Sequence, residues 1–302
     1  MLRWMMTLRA CLVSMKRLIR ILRLVRWRLD TALPALNDQK EGAIRPPSPH
    51  TPLNDTTAMT TKSPYLSMIA KKRPWQAVAV DKGVVQEGSE ATLGKLLALR
   101  HLELPVKDFL EQGLERDLPS TPGVVEALRH NQEDEQRHDQ ALNYIVAAHG
   151  SDEKAEKEVE GILQAWQEHP AHPILKAAIL ERSIFFVVLP FFRFNGDMGI
   201  RTVAADISRD EITHVGVHSL VAKELDENAG QSLNKLRRAT ALWAFDALGA
   251  SENKWLNKDF WLKQSDSLFE KGKADGLAET QRSRMPAFFE AANTNLPSYG
   301  RA

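Results

Sequence analysis

The pentapeptide Asp-Glu-x-x-His occurs twice in this chain, as Asp134-Glu135-Gln136-Arg137-His138 and as Asp210-Glu211-Ile212-Thr213-His214. On a helix, a glutamate and the histidine three residues later are separated by about 300° of rotation and about 4.5 Å of rise, so they share one face. Each copy follows another glutamate at nearly the same distance. Glu103 stands 32 residues before Glu135, and Glu181 stands 30 before Glu211. Four glutamates and two histidines in two matched halves make the ligand inventory of a carboxylate-bridged pair of metal ions between four helices. A chain built this way must fold as helices that turn those faces toward one another.

A single Glu-x-x-His is more often a solvated helix face than a ligand pair; two copies in register, each behind its own glutamate, are harder to assign to solvent. Nitrogen and oxygen donors without a thiolate suit iron or manganese better than structural zinc. Glu181 heads the most apolar run of the chain, Glu181-Arg182-Ser183-Ile184-Phe185-Phe186-Val187-Val188-Leu189. A carboxylate there needs a partner, because a lone buried charge is costly. The partner is a metal ion or an arginine such as Arg182. Glu103 ends a leucine-rich stretch, with ordinary surface exposure as its alternative. Asp134 and Asp210 are placed to accept the second N–H of a ligating histidine, each from the other half, unless they only solvate a helix. His218, one turn beyond His214, lines the site or packs. His101, His130, His149, His169 and His172 follow no ligand pattern.

The rest of the chain reads as helices with punctuation. One helix is expected from about Ser89 past Leu104, broken by Pro105 just after Glu103, with a second stretch over 106–117. Thr121-Pro122 is a helix start, with Thr at the cap and the helix running from about 122 to 148. A charged surface helix follows to about 168. Further helices are expected over about 173–194, with a kink at Pro190, and over 199–228. Three more follow over 232–248, 252–271 and 275–293. Pro34, Pro46, Pro47, Pro49, Pro52 and Pro64 mark 31–75 as a linker or disordered arm. The domain reading is a basic amphipathic segment over 1–30, that linker, a helical di-metal domain over 76–295, and a tail over 296–302.

Residues 1–29 hold eight Lys or Arg and no acid, leaving 32 basic against 39 acidic residues in the remainder. A balance of −7 without a basic face argues against a nucleic-acid partner. The basic segment is either the product of an upstream start, with Met59 or Met68 the true beginning, or an amphipathic targeting or membrane-surface helix. Membrane contact and organelle targeting are expected only if it is genuine, and a cytoplasmic location otherwise. The lone Cys11 rules out an internal disulfide.

Arg209-Asp210-Glu211-Ile212-Thr213-His214 resembles the signature of ribonucleotide reductase small subunits and related ferritin-like di-iron oxidases. The order Glu103, Glu135/His138, Glu181, Glu211/His214 is similar to the ligand order of that superfamily over residues 89–228. The resemblance implies an all-α fold, a ferritin-like four-helix bundle with additional C-terminal helices. It implies two iron ions, or manganese and iron, with dioxygen as co-substrate. It also implies an oxidoreductase acting on an unidentified small-molecule substrate or electron donor, and a homodimer. Two departures matter. The position four residues after His138, where a radical tyrosine is common, is Leu142, with Tyr144 two residues further. Tyr299 lies in a tail that lacks the acidic-aromatic docking pattern. Two alternatives stay open, a divergent reductase small subunit without that tyrosine and an iron-handling ferroxidase, beside a helical protein whose metal site is structural or lost.

Overall fold

The computed structural model of the chain describes residues 63–274, 276 and 277, all within the unit Met59–Ala302. The described residues contain helices and no strand. The basic segment 1–30, the linker up to residue 62 and the tail 296–302 lie outside them, as does the helix expected over 275–293 apart from Gly276 and Leu277.

Among the described residues ten α-helices run in order: α1 (Pro64–Ile69), α2 (Glu90–Ala98), α3 (Glu103–Leu114), α4 (Val124–His149), α5 (Glu153–Glu168), α6 (Pro173–Leu180), α7 (Phe186–Asn195), α8 (Met198–Glu224), α9 (Gln231–Phe245) and α10 (Lys258–Lys271). Four of them close a ring. α3 packs on α4, α4 on α8, α8 on α6, and α6 back on α3. The ring buries Val106, Phe109 and Leu110 of α3, Ala127, Leu128 and Ile145 of α4, Ile174 and Ala177 of α6, and Val203, Ile207 and Val217 of α8. Full burial of each large aliphatic or aromatic side chain contributes about 1.5–3 kcal/mol. Helices α5, α9 and α10 form an outer layer around Trp166, Trp255 and Trp261, all fully buried.

Several boundaries differ from expectation. The break around Glu103 comes before it, as a 3-10 turn over Leu99–Leu102. Pro105 is the third residue of α3, where its missing N–H lies in the first turn and costs no helix bond. Glu103 therefore opens a helix instead of closing one. At α4 the cap is Gly123 in the left-handed region (φ +88°), not Thr121. A Cβ at Gly123 would meet Leu66 Cγ at 2.7 Å. The Thr121 hydroxyl instead donates to Glu224 at 2.8 Å.

The helix expected over 173–194 is divided by a π-helical turn, Glu181–Phe185, between α6 and α7. The disturbance thus falls upstream of Pro190. Phe186, whose carbonyl the proline leaves without a helix donor, is the first residue after the turn. The Ser183 carbonyl inside the turn accepts from the Ser265 hydroxyl of α10 at 2.7 Å, and Arg237 of α9 donates to that hydroxyl at 2.7 Å. The C-terminal helices brace this turn directly.

The last part of the expected linker is also built into the fold. Tyr65 of α1 is fully buried, and Trp75 is nearly so. α1 lies against both α4 and α8. Proline density in that stretch punctuates the chain without loosening it, because two aromatic side chains anchor it to the core.

Candidate metal centre

Each side of the helix ring delivers one part of a single cluster. Glu103 enters from the first turn of α3, and Glu135 and His138 from one face of α4. Glu181 enters from the π turn, and Glu211 and His214 from one face of α8. All six side chains are completely buried. The i, i+3 spacing does on both long helices what helix geometry requires. The π turn adds a residue to its helical turn, a device frequent at functional sites.

Glu135, His138, Glu211 and His214 each offer a donor atom within 4.8 Å of the others. His138 Nδ1 lies 3.6 Å from Glu135, 3.3 Å from Glu211 and 3.7 Å from Glu103. His214 Nδ1 lies 2.9 Å from Glu135, 3.7 Å from Glu211 and 3.6 Å from Glu181. Glu135 and Glu211 thus reach both histidines, whereas Glu103 approaches only His138 and Glu181 only His214. The two imidazole centroids are 5.4 Å apart.

These close approaches are not hydrogen bonds. Both oxygens of Glu103, Glu135 and Glu211, Oε1 of Glu181, and Nδ1 of His138 and His214 are buried without a hydrogen-bond partner. Buried polar atoms rarely go unsatisfied, and such a group costs about 1–3 kcal/mol. Nine of them in one place are compatible with a shared metal ion as their partner. Two donor atoms each about 2.1 Å from a shared first-row ion lie no more than about 4.2 Å apart. The distances from each Nδ1 meet that limit, so Glu135, His138, Glu211 and His214 could hold a metal ion.

The aspartates cross over between the halves. His138 Nε2 lies 3.3 Å from Asp210, and His214 Nε2 lies 3.0 Å from Asp134. Each aspartate takes the Nε2 proton, which leaves Nδ1 facing the cluster. Arg137 pairs with Asp134 and lies 3.8 Å from Asp210. Lys72 pairs with Asp134. The Trp75 indole N–H donates to Asp210 at 2.6 Å, and its ring stacks on His138 at 6.0 Å.

Four carboxylates in one dry space shape the charges of the metal-free chain. Burial acts against charge on both imidazoles, yet it is outweighed. Asp210 and the glutamates around His138, and Glu135, Asp134 and Glu181 around His214, raise both pKa values well above the ordinary one. Burial pushes Glu103 well above the carboxylate range and Glu211 up to about 7. Glu135, by contrast, overcomes its burial through His214 and His138 and stays below that range. Asp134 overcomes its burial through His214 and Lys72 and is also lowered. Protons thus offset the carboxylates where two cations would otherwise do so.

Several residues at the centre carried no readable signal. Lys72 is one of three consecutive basic residues, Lys71-Lys72-Arg73, Trp75 follows Pro74, and Asn131 is one polar residue on a long helix. His218 is fully buried against Glu181, 2.6 Å from Nδ1 to Oε2. Arg182 is not the partner of Glu181, and no hydrogen bond or ion pair joins them. Phe191 packs against Phe245 and Trp261, at 5.7 and 5.3 Å between ring centroids. His101 pairs with Glu156, His149 lies 2.9 Å from Asp197, and His172 caps α6. Among the described residues no helix is long and apolar enough to cross a membrane. No protein-family model matches the chain, and no curated protein matches its sequence significantly.

Proposed function

We propose that this chain is an oxygen-activating di-iron, or iron–manganese, oxidoreductase on a ferritin-like four-helix bundle. One observation carries the reading: seven carboxylate oxygens and two imidazole nitrogens converge in a sealed space with no hydrogen-bond partner. Glu103, Glu135 and His138 would hold one ion, and Glu181, Glu211 and His214 the other. Glu135 and Glu211 would be the glutamates shared between the two ions, because each approaches both histidines. A reduced pair of such ions supplies the electrons for dioxygen activation, chemistry that no side chain provides.

The protein's own contribution is positional and electrostatic. Asp210 and Asp134 hold the Nε2 protons of His138 and His214, fixing each ring with Nδ1 inward. Complete burial of the six side chains keeps bulk water away and strengthens every charge interaction among them. Nitrogen and oxygen donors with several carboxylates favour iron and manganese over softer ions.

The departures at Leu142 and Tyr144 weigh against the reductase alternative. Leu142 is buried, and the Tyr144 hydroxyl accepts from Gln140 at the helix surface. Tyr65, the other described tyrosine, is raised by its burial and by Glu224, ten residues beyond His214. No tyrosine thus stands four residues after His138, where the resemblance would place a radical. The test is anaerobic loading with ferrous iron followed by exposure to oxygen. The expected result is two bound ions per chain and oxygen uptake that His138→Ala abolishes. Uptake unchanged in His138→Ala, or no iron retained by the wild type, overturns it.

A further inference from the structure

Among the four cluster glutamates, Glu181 is unlike the rest. Glu103, Glu135 and Glu211 each leave both oxygens without a hydrogen bond, but Glu181 leaves only Oε1. Its Oε2 is held by His218 Nδ1 at 2.6 Å. We infer that His218 is a positioning residue that holds Oε2 of Glu181 by a hydrogen bond, so that Glu181 turns Oε1 toward a metal ion as its unpartnered oxygen. This rests on the di-metal reading and deepens it.

The hydrogen-bond inventory settles which way the proton points. Lys72 Nζ lies 3.0 Å from Asn131 Oδ1, and an ammonium can only donate, so Oδ1 accepts. The Asn131 amide nitrogen therefore faces His218, 3.1 Å from Nε2. An amide N–H₂ also only donates, so Nε2 accepts and carries no proton. The ring proton is then on Nδ1 and is donated to Glu181 Oε2. Donors thus run in one direction from Lys72 through Asn131 and His218 to Glu181. Lys72 also pairs with Asp134, which receives the Nε2 proton of His214. One half-buried lysine ties down both residues that approach only the His214 side. Nothing comparable holds Glu103, whose two oxygens remain free for an ion.

The consequence is an asymmetric pair of sites. An ion beside His138 would meet two unpartnered oxygens of its own glutamate, whereas an ion beside His214 would meet one unpartnered oxygen and one held by His218. Chelation by Glu181 would have to use the remaining lone pair of Oε2, whose direction the bond to His218 constrains. A group that orients a ligand in this way changes metal affinity by about 10–100-fold when removed.

Two measurements on the full chain test this. The first is ¹⁵N NMR of the metal-free protein, which reads the His218 tautomer directly and does not depend on any metal. A protonated Nδ1 and bare Nε2 are expected; the opposite tautomer overturns the inference. The second is titration with cobalt(II), followed by the visible bands of the ion, in wild type, His218→Leu, His218→Gln and His218→Asn. Asparagine can place its amide nitrogen where Nδ1 lies, whereas glutamine reaches toward Nε2.

Leu and Gln should weaken one of the two cobalt ions by roughly 10–100-fold and leave the other unchanged. Their bands should also weaken as Glu181 becomes free to chelate and the coordination number rises. Asn should restore the wild-type spectrum. Glutamine keeps a polar partner for Asn131, so it decides the matter if the leucine chain does not fold; if neither folds, the tautomer does. Wild-type affinity and bands in both Leu and Gln overturn the role of His218. Failure of the wild type to take two cobalt ions sinks the di-metal reading instead.

Discussion

The two Asp-Glu-x-x-His copies are alike in sequence and unlike in surroundings. His138 is backed by Asp210, which takes the indole proton of Trp75, and the Trp75 ring lies against His138 itself. His214 is backed by Asp134, which pairs with Lys72 and Arg137. On the first side Glu103 opens a regular helix with both oxygens free. On the second, Glu181 sits in a π turn braced by Ser265, with one oxygen taken by His218. An equivalent ligand set therefore need not make equivalent sites, since support from outside the motif sets how each ligand is held.

The strongest way to break this comparison is to delete a ligand from each side. His138→Ala and His214→Ala should each abolish two-ion binding while far-UV circular dichroism stays helical. Iron analysis after anaerobic loading reads the outcome. If both variants still take two ions with wild-type affinity, neither half is a ligand set.

Removing the crossed aspartates should act one step down. Asp210→Asn is expected to weaken the ion beside His138 by roughly 10–100-fold, and Asp134→Asn the ion beside His214 by a similar factor. Manganese(II) titration followed by electron paramagnetic resonance distinguishes the two. Loss of the same ion in both variants would show that the aspartates do not cross over as the structure places them.

The convergence of the six side chains was legible in the sequence because helix arithmetic operates on short spacings. Glu135 and His138, or Glu211 and His214, must share a face whatever surrounds them. The helical class followed from the same periodicity. What escaped depends on distant partners. The π turn is braced by Ser265, 82 residues beyond Ser183, and no local pattern announces it. Lys72, Trp75 and Asn131 are single residues whose roles exist only once α1 and its trailing strand of chain lie on α4 and α8. Pro105 predicts a break after Glu103, yet a proline fits the first turn of a helix equally well, and local sequence does not separate these cases.

The protons of the metal-free cluster give a third prediction. Glu103 and Glu211 are raised by burial, so the folded chain keeps protons that the unfolded chain loses above about pH 4.5. Their effect is to lower stability as pH rises from there, for Glu211 through about 7. The stabilisation from His138 and His214, whose folded pKa values are raised, is fully present below about pH 6.5 and is lost as pH rises through those values. Glu135 and Asp134 are lowered, so their contribution is lost only in acid. The metal-free chain should therefore show a falling Tm between about pH 5 and about pH 8, and metal loading should release protons and flatten the profile. A metal-free Tm that rises across this range would contradict these charge assignments.

The smallest effect sharpens the Glu181 side. Ser265→Ala removes the donor to the Ser183 carbonyl and should cost about 0.5–1.5 kcal/mol in chemical denaturation. It should also weaken the ion beside His214 more than the one beside His138. Equal weakening of both would mean that the π turn does not distinguish them.

The most direct measurement is anomalous diffraction from crystals of the protein loaded with manganese(II). Two peaks are predicted, one against His138 and Glu103 and one against His214 and Glu181, with Glu135 and Glu211 between them. A cluster without any peak, or with a single ion shared by both histidines, would contradict the account.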